Sequence, residues 1–245
     1  MSPAFKIPFQ DLPQQTRALR SELDPAMETV LRHCQFILGP EVTEFERTFA
    51  EHTGAAYAIG VGSGTDALQF ILRGLDIGAG DEVITVANTF IATAEAISYA
   101  GARPVLVDCG LDDFRIDPAA IEAAITPRTR AVIPVHLYGQ PANIEVIAAI
   151  AAKHGLALVE DAAQAHGARD RDAVAKALLD RGVQTVVHYP VPIYLQKAYA
   201  GLGYPPGSFP NAEAAARTVL SLPMFPEMTR EQCDYVGAML REVLS

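Results

Sequence analysis

The feature that most constrains the fold is an alternation of short β-rich runs with amphipathic helical segments between about residues 57 and 160. Strands that alternate with helices are typical of βαβ units, which build parallel sheets. We therefore predict an α/β domain with a mostly parallel sheet and helices on both faces. The predicted strands are residues 56–61, 82–86, 104–108, 131–135 and 156–160.

The segments between these runs have helical signals. Asp117 precedes Pro118, which predicts an N-cap followed by proline at the first helical position. Apolar residues recur at i, i+3, i+4 and i+7 in two further segments, as on one face of a helix. Those residues are Leu68, Ile71, Leu72, Leu75, Ile144, Ile147, Ala148 and Ala151. Before the first strand we predict one helix over about residues 19–31 and another that begins at Pro40.

The character of the chain changes at Arg169-Asp170-Arg171-Asp172. We predict a domain boundary there, with a large α/β domain at residues 1–168 and the remnant of a small C-terminal α+β domain at residues 169–245. Within the small domain we predict a helix that ends at Gly182, a strand over 183–188 and two closing helices.

Composition excludes several classes of protein. The formal net charge is −10 and the acidic residues are scattered, which argues against nucleic-acid and membrane partners. No apolar run is long enough to span a bilayer, and residues 1–11 lack the apolar core of a signal peptide. Cys34, Cys109 and Cys233 are far apart and odd in number, so neither a disulfide framework nor a metal site is indicated. We expect a cytoplasmic protein without a metal.

The strongest candidate site follows the last predicted strand, in Glu160-Asp161-Ala162-Ala163-Gln164-Ala165-His166. Ligands of open α/β sheets bind outside the carboxyl ends of strands, which places Asp161 and Gln164 where chemistry is usual. An aspartate there can keep the heterocyclic nitrogen of a cofactor protonated. His166 lies just beyond this strand end and is a further candidate.

Other candidates follow other strands, and each has a plain structural alternative. The turn Gly62-Ser63-Gly64-Thr65 opens a helix whose free N–H groups favour a phosphate, although Ser63 and Thr65 can equally be helix caps. Phe90 can stack on a flat heterocycle or belong to the core. His136 is more typical of a hydrogen-bonded core histidine than of a catalytic base. His188 and Tyr189 can reach a cleft or pack the small domain.

Taken together, these residues resemble the DegT-type sugar aminotransferases, pyridoxal phosphate enzymes of fold type I. The matching motifs extend from about Ile7 to the C-terminal region, at residues 36–42, 62–68, 88–95, 133–139, 160–168, 188–190 and 221–226. The resemblance implies a fold like that of the pyridoxal phosphate transferases. It also implies conversion of a keto group on a nucleotide-linked sugar to an amine, usually with glutamate as the donor.

The resemblance assigns roles to individual residues. Gly64 and Thr65 would bind the cofactor phosphate, and Phe90 would stack on the pyridine ring. Asp161 would pair with the ring nitrogen, and Gln164 would contact the 3-hydroxyl group. His166, His188 and Tyr189 are the candidate substrate-binding residues.

One block of the family pattern is absent. In the family, the stretch matching residues 160–168 is followed by a strand, a phosphate-binding serine and the lysine that forms the Schiff base with the cofactor. Here the chain resumes in the small domain at about Arg171, and its lysines, Lys6, Lys153, Lys176 and Lys197, do not occupy that position. No catalytic residue can therefore be assigned, and pyridoxal phosphate would bind weakly and without a covalent bond.

The missing block contains two strands that lie, in the family, between the strand matching 56–61 and the strand that ends at Asp161. We expect an incomplete sheet in which either these two strands pair directly or their backbone groups stay exposed. An incomplete sheet and the dimeric family sites both predict a homo-oligomer.

Three interpretations remain open. In the first interpretation, the chain is an inactive or severely impaired relative of the sugar aminotransferases. Alternatively, it is a non-catalytic pseudoenzyme that binds the cofactor, a sugar nucleotide or an intact homologue. In the third interpretation, the natural protein contains the missing block and is an ordinary transaminase.

Overall fold

The computed structural model describes residues 6–164, 189–218, 221, 223 and 225–244. Described residues up to 62 and from 223 onward belong to one compact unit, and those from 63 to 221 belong to the other. The predicted boundary at 168–169, the helix that ends at Gly182 and the strand over 183–188 lie outside the described residues. The division into domains 1–168 and 169–245 therefore stays a prediction.

The unit that begins at residue 63 contains a four-stranded sheet with the order β2-β1-β3-β4, in which every neighbouring pair is parallel. Its strands are β1 (Glu82–Val86), β2 (Arg103–Val107), β3 (Thr129–Ile133) and β4 (Ala157–Leu158). Four of the five predicted strands are thus confirmed. Its α-helices, with the two N-terminal helices counted first, are α3 (Gly64–Gly74), α4 (Ile91–Ala100), α5 (Pro118–Ala124), α6 (Ile144–His154) and α7 (Pro210–Thr218).

Helices cover both faces of the sheet, as predicted. Within β1, Ile84 packs with Ile121 of α5 and Ile147 of α6, and all three are fully buried. The preceding residue, Val83, packs instead with Leu72 of α3. Successive side chains of a strand point to opposite faces, so a strand that is buried at every position, as β1 is, contributes to two cores.

Residues 56–61 do not form a strand, and this prediction is wrong. The segment follows a helix that ends at Gly54 and is almost entirely exposed, with Tyr57 at 86% and Ile59 at 81%. A β-rich pattern becomes a strand only when a neighbour supplies backbone hydrogen bonds. In the described residues no such neighbour pairs with this segment.

Residues 189–218 are fixed to the sheet by Asp108, which directly follows β2. Its carboxylate accepts hydrogen bonds from the backbone N–H groups of Asn211 (3.0 Å) and Ala212 (2.8 Å), in the first turn of α7. The Asn211 amide donates to the Cys109 carbonyl oxygen at 2.7 Å. Ile193 is fully buried in the same core as β1. This segment therefore packs as part of the sheet unit.

The other unit contains α1 (Leu12–His33), α2 (Pro40–Thr53) and α8 (Arg230–Leu244). Asp11 caps α1 by accepting from the Gln14 N–H at 2.9 Å. None of the residues of α1 is buried. The predicted N-terminal and closing helices are confirmed. Across the described part of the chain, every helix falls short of the length and apolar character needed to cross a membrane.

Glu82 lies buried at the amino-terminal end of β1, away from the strand ends that carry the candidate site. The Thr126 hydroxyl donates to this carboxylate at 2.5 Å, and Arg128 donates at 2.7 Å. The Thr126 hydrogen bond, together with the bond and charge of Arg128, holds the pKa of Glu82 below its ordinary value. This group is part of the framework of the sheet.

Candidate active site

One cavity of about 190 Å³ brings together the residues predicted to bind the cofactor. Gly64, Thr65, Phe90, Asp161 and Gln164 all line it, and each lies beyond a strand or at the start of a helix. The remaining lining residues are Leu68, Thr89, Ala92, Val135, Leu137, Ala163 and Tyr189. Phe90, Asp161 and Gln164 converge here because the strands of a parallel sheet all end at the same edge.

The amino-terminal end of α3 opens into this cavity. The Ser63 side chain caps the helix, because its oxygen accepts from the Asp66 N–H at 3.1 Å. Ser63 is therefore a cap and does not line the cavity. A side-chain carbon placed on Gly64 would meet no atom within 4 Å, so the space beside the first turn is open. The N–H groups of a helix start are suited to an anion in such a space.

Asp161 is held in place at the end of the strand. Its backbone pairs with Val135, and its N–H donates to the Pro134 carbonyl oxygen at 3.0 Å. The Thr93 hydroxyl donates to the Asp161 carboxylate at 2.8 Å, and the Ala163 N–H donates at 3.2 Å. The carboxylate is half-buried and retains acceptor positions for a partner in the cavity.

Gln164 is oriented by two hydrogen bonds. Its side-chain oxygen accepts from the Tyr138 N–H at 3.0 Å, and its amide nitrogen donates to the Tyr189 hydroxyl at 2.8 Å. The ring of Tyr189 lies 5.5 Å from that of Phe90, with a 31° angle between the planes. Burial, and then the charge of Asp161, raise the pKa of Tyr189, so its phenol stays protonated at neutral pH.

The pair formed by Phe90 and Tyr189 also borders a second cavity of about 400 Å³. That cavity is lined in addition by Ile91, Pro190, Val191 and Gln196. Phe90 is 53% exposed, so it is not a core residue. The two rings therefore form a wall between the cavities.

His136 does not line either cavity. Its ring is buried, Nδ1 accepts from the Ala142 N–H at 3.0 Å, and Nε2 lies 2.9 Å from a Glu160 carboxylate oxygen. Because Nδ1 is an acceptor, the ring proton is on Nε2 and is donated to Glu160. The core-histidine interpretation of His136 is therefore the one observed.

The predicted substrate residues divide into two groups. Tyr189 lines the first cavity, next to the predicted cofactor residues, whereas His166 and His188 lie outside the described residues. Sequence reasoning missed the Tyr138 backbone N–H that orients Gln164, and the contact of Tyr189 with Gln164. Both contacts join residues about 25 positions apart or more, and no local pattern indicates them.

The lysines that the structure describes lie elsewhere. Lys153 is exposed on α6 and pairs with Glu122, while Lys197 is exposed at the start of a short 3₁₀ helix. Lys6 lies 3.6 Å from the centre of the Tyr235 ring. Lys176 is outside the described residues. Among the residues that the structure describes, no lysine lines the 190 Å³ cavity.

Comparison with a family model gives a match to the DegT/DnrJ/EryC1/StrS aminotransferase family over residues 17–173 and 168–241. The chain is 33% identical over 363 residues to the dTDP-3-amino-3,4,6-trideoxy-alpha-D-glucose transaminase of Streptomyces venezuelae, with 97% of this chain and 96% of that protein covered. It is 51% identical over 162 residues to the UDP-2-acetamido-2-deoxy-3-oxo-D-glucuronate aminotransferase of Pseudomonas aeruginosa, with 66% and 45% covered.

Among solved structures, the chain is similar to S. venezuelae DesV in complex with a ketimine intermediate. The TM-score is 0.91 and the sequence identity is 32%, with 97% of this chain and 98% of that chain covered. The predicted fold class, an α/β fold like that of the pyridoxal phosphate transferases, is therefore confirmed.

Proposed function

Because this chain belongs to the DegT/DnrJ/EryC1/StrS aminotransferase family, whose members use pyridoxal phosphate, we propose that it keeps the cofactor pocket without the lysine that completes the catalytic site. It then binds pyridoxal or pyridoxamine phosphate weakly and non-covalently, and does not catalyse transamination. The observation that carries this proposal is the convergence of the five predicted cofactor residues on one cavity whose described walls contain no lysine.

The chemistry of the cavity fits a phosphorylated pyridine. The amino-terminal end of α3, at Gly64 and Thr65, offers N–H groups to the phosphate. Asp161 offers a carboxylate to the ring nitrogen, Gln164 offers an amide to the 3-hydroxyl group, and Phe90 offers a ring face. When bound, the cofactor supplies an electron sink for amino-group chemistry. The residues of this chain would bind and orient it.

The absence of the catalytic lysine is supported by the lengths of the alignments. The alignment with the S. venezuelae transaminase is 363 residues long, whereas this chain has 245 residues. The family model matches in two stretches, and these meet at residues 168–173, where we predict the missing block. An internal deletion at this point removes the lysine position itself, so no other lysine inherits the role.

The substrate is proposed from the same relationship. The two similar aminotransferases are named for sugar substrates linked to dTDP and UDP, so a nucleotide sugar is the small molecule that we expect here. We assign its contacts to Tyr189, His166 and His188. Homo-oligomerisation and a cytoplasmic location complete the proposal.

Binding and reduction test the cofactor proposal directly. Calorimetric titration with pyridoxamine phosphate should show weak saturable binding. Asp161→Ala should weaken this binding because the pyridinium charge loses its partner. Asp112→Ala removes an exposed carboxylate that does not line the cavity and should leave binding unchanged. Borohydride reduction with pyridoxal phosphate should leave no adduct on a cavity lysine. A mass-mapped adduct there would refute the proposal.

Activity provides the second test. With a keto-sugar nucleotide and glutamate, the isolated chain should form no amino sugar. If the natural protein contains the missing block, the intact mass of the natively purified protein will exceed the 26.2 kDa of this chain. That result would support the third interpretation, an ordinary transaminase.

A further inference from the structure

Gln164 is held at both ends of its side-chain amide. Its oxygen accepts from the Tyr138 backbone N–H at 3.0 Å, and its nitrogen donates to the Tyr189 hydroxyl at 2.8 Å. Because a backbone N–H can only donate, the amide oxygen must face Tyr138. Within the described part of the chain, no acceptor receives the second N–H of the amide nitrogen. Gln164, which lines the 190 Å³ cavity, therefore has one N–H left to offer to a bound molecule.

Both partners of Gln164 have strained backbones. The φ angle is 57° at Tyr138 and 59° at Tyr189, in the left-handed region that residues with a side chain rarely adopt. Six non-glycine residues have a positive φ in the described ranges, and two of them are these partners. Strain of this kind persists only where the surrounding structure enforces it, and it clusters at functional sites. The contacts of Gln164 are therefore a place where the fold imposes a conformation.

His136 ties the loop that contains Tyr138 to the segment that leads to Gln164. Its buried ring accepts from the Ala142 N–H through Nδ1 at 3.0 Å, and this bond closes the loop. Through Nε2, which lies 2.9 Å from a carboxylate oxygen, the same ring is bound to Glu160. Because the ring is buried and both of its nitrogens are used, its orientation is fixed. One imidazole thus connects the two parts of the chain that meet at the Tyr138–Gln164 hydrogen bond.

We propose that His136 is a positioning residue, which holds Tyr138 in its strained conformation and so presents the remaining Gln164 N–H to the ligand of the cavity. The identity of that ligand rests on the proposed function, in which this N–H would meet the 3-oxygen of pyridoxamine phosphate. His136 does not line the cavity, so it acts on the ligand without touching it. A ligand without an acceptor at this position would leave the N–H unpaired, and sites built around such a bond discriminate against it.

Amide hydrogen exchange in the chain without cofactor tests the positioning of Tyr138 by itself. His136→Gln keeps a nitrogen near the position of Nε2 but removes the Nδ1 acceptor, whereas His136→Asn keeps an oxygen near the position of Nδ1. His136→Gln should speed exchange of the Tyr138 amide at least about fivefold, and His136→Asn less than about twofold. Amides of β1 should keep the wild-type rate in both variants. Equal acceleration in β1, or equal effects of the two substitutions on Tyr138, would overturn the proposal, because His136 would then be a packing residue.

Ligand selectivity tests the consequence for the cavity. In calorimetric titrations, the wild-type chain should bind pyridoxamine phosphate at least about fivefold more tightly than its 3-deoxy analogue. In His136→Gln the two dissociation constants should come within about twofold of each other, because Gln164 no longer has a fixed orientation. In His136→Asn the wild-type ratio should be retained.

His154→Gln is the matched control for selectivity. The Nε2 atom of His154 also faces a glutamate, Glu122, at 3.4 Å, but this histidine does not line the cavity, so the ratio should not change. If His136→Gln weakens binding of both ligands at an unchanged ratio, positioning of Gln164 is contradicted. Failure of the wild-type chain to bind either ligand would instead refute the proposed function, and exchange of the Tyr138 amide would then decide the role of His136.

Discussion

Removal of the Asp108 carboxylate should loosen α7 from the sheet. Asp108 accepts from the N–H groups of Asn211 and Ala212, so it caps a helix that begins about 100 residues later in the chain. The side chain is half-buried, and the helix start also favours its negative charge. Asp108→Ala is therefore the perturbation with the clearest consequence for the segment that follows the predicted deletion.

The expected magnitude follows from these contacts. Loss of a helix cap costs about 1 kcal/mol and up to about 2 kcal/mol, and a hydrogen bond to a charged group contributes about 1.5–3 kcal/mol. Two such bonds are lost here. Asn211 is half-buried, so water can replace part of its bond, whereas Ala212 is fully buried. We expect a loss of about 2 kcal/mol, which is about a 30-fold increase in the opening equilibrium of α7.

Amide hydrogen exchange resolved by residue measures this opening without a global unfolding experiment. Amides of α7 should exchange about 30-fold faster in Asp108→Ala, and by an intermediate factor in Asp108→Asn, which keeps one acceptor. Asp117→Ala is the matched control, because Asp117 caps α5 through the Ala119 N–H at 2.9 Å and should change exchange in α5 alone. A change below about threefold in α7 would mean that the cap does not hold this segment.

Three further predictions concern the framework of the protein. Leu72→Ala should lower the free energy of unfolding by about 3 kcal/mol in urea titrations, because the Leu72 side chain is fully buried. The neighbouring Ile71 is 44% exposed, so Ile71→Ala should lower it by less than about 1 kcal/mol. Equal losses in the two variants would contradict the packing. The pKa of Glu82 is lowered from its ordinary value of 4.5, so this carboxylate stabilises the folded chain at pH values above 4.5, and that stability is lost as the pH falls through the folded pKa. Glu82→Gln should therefore flatten the acid limb of the profile of stability against pH. An unchanged acid limb would be evidence against this role of Glu82. Burial raises the pKa of the Cys109 thiol to about 12, so iodoacetamide at neutral pH should label the exposed Cys34 in the folded chain while Cys109 stays unmodified, as mass mapping can show.

Much of the architecture is predictable from short stretches of sequence. The Asp117-Pro118 pair predicts the start of α5, Pro40 predicts the start of α2, and both helices begin there. Alternation of strands with helices predicts a parallel sheet, and a parallel sheet places all its strand ends at one edge. The convergence of Phe90, Asp161 and Gln164 on one cavity follows from that topology. These features depend on local backbone preference and on the direction of the strands.

Contacts between distant parts of the chain required the tertiary structure. Residues 56–61 have the pattern of a strand, yet they stay exposed because no described neighbour completes their hydrogen bonds. The cap that Asp108 provides to α7, and the bond between Gln164 and Tyr189, leave no trace in the local pattern. The sequence by itself determined which segments prefer helix or strand and which residues lie at strand ends. Only the tertiary structure decided which of those segments find a partner, because hydrogen bonds between distant residues depend on the positions of both groups in space.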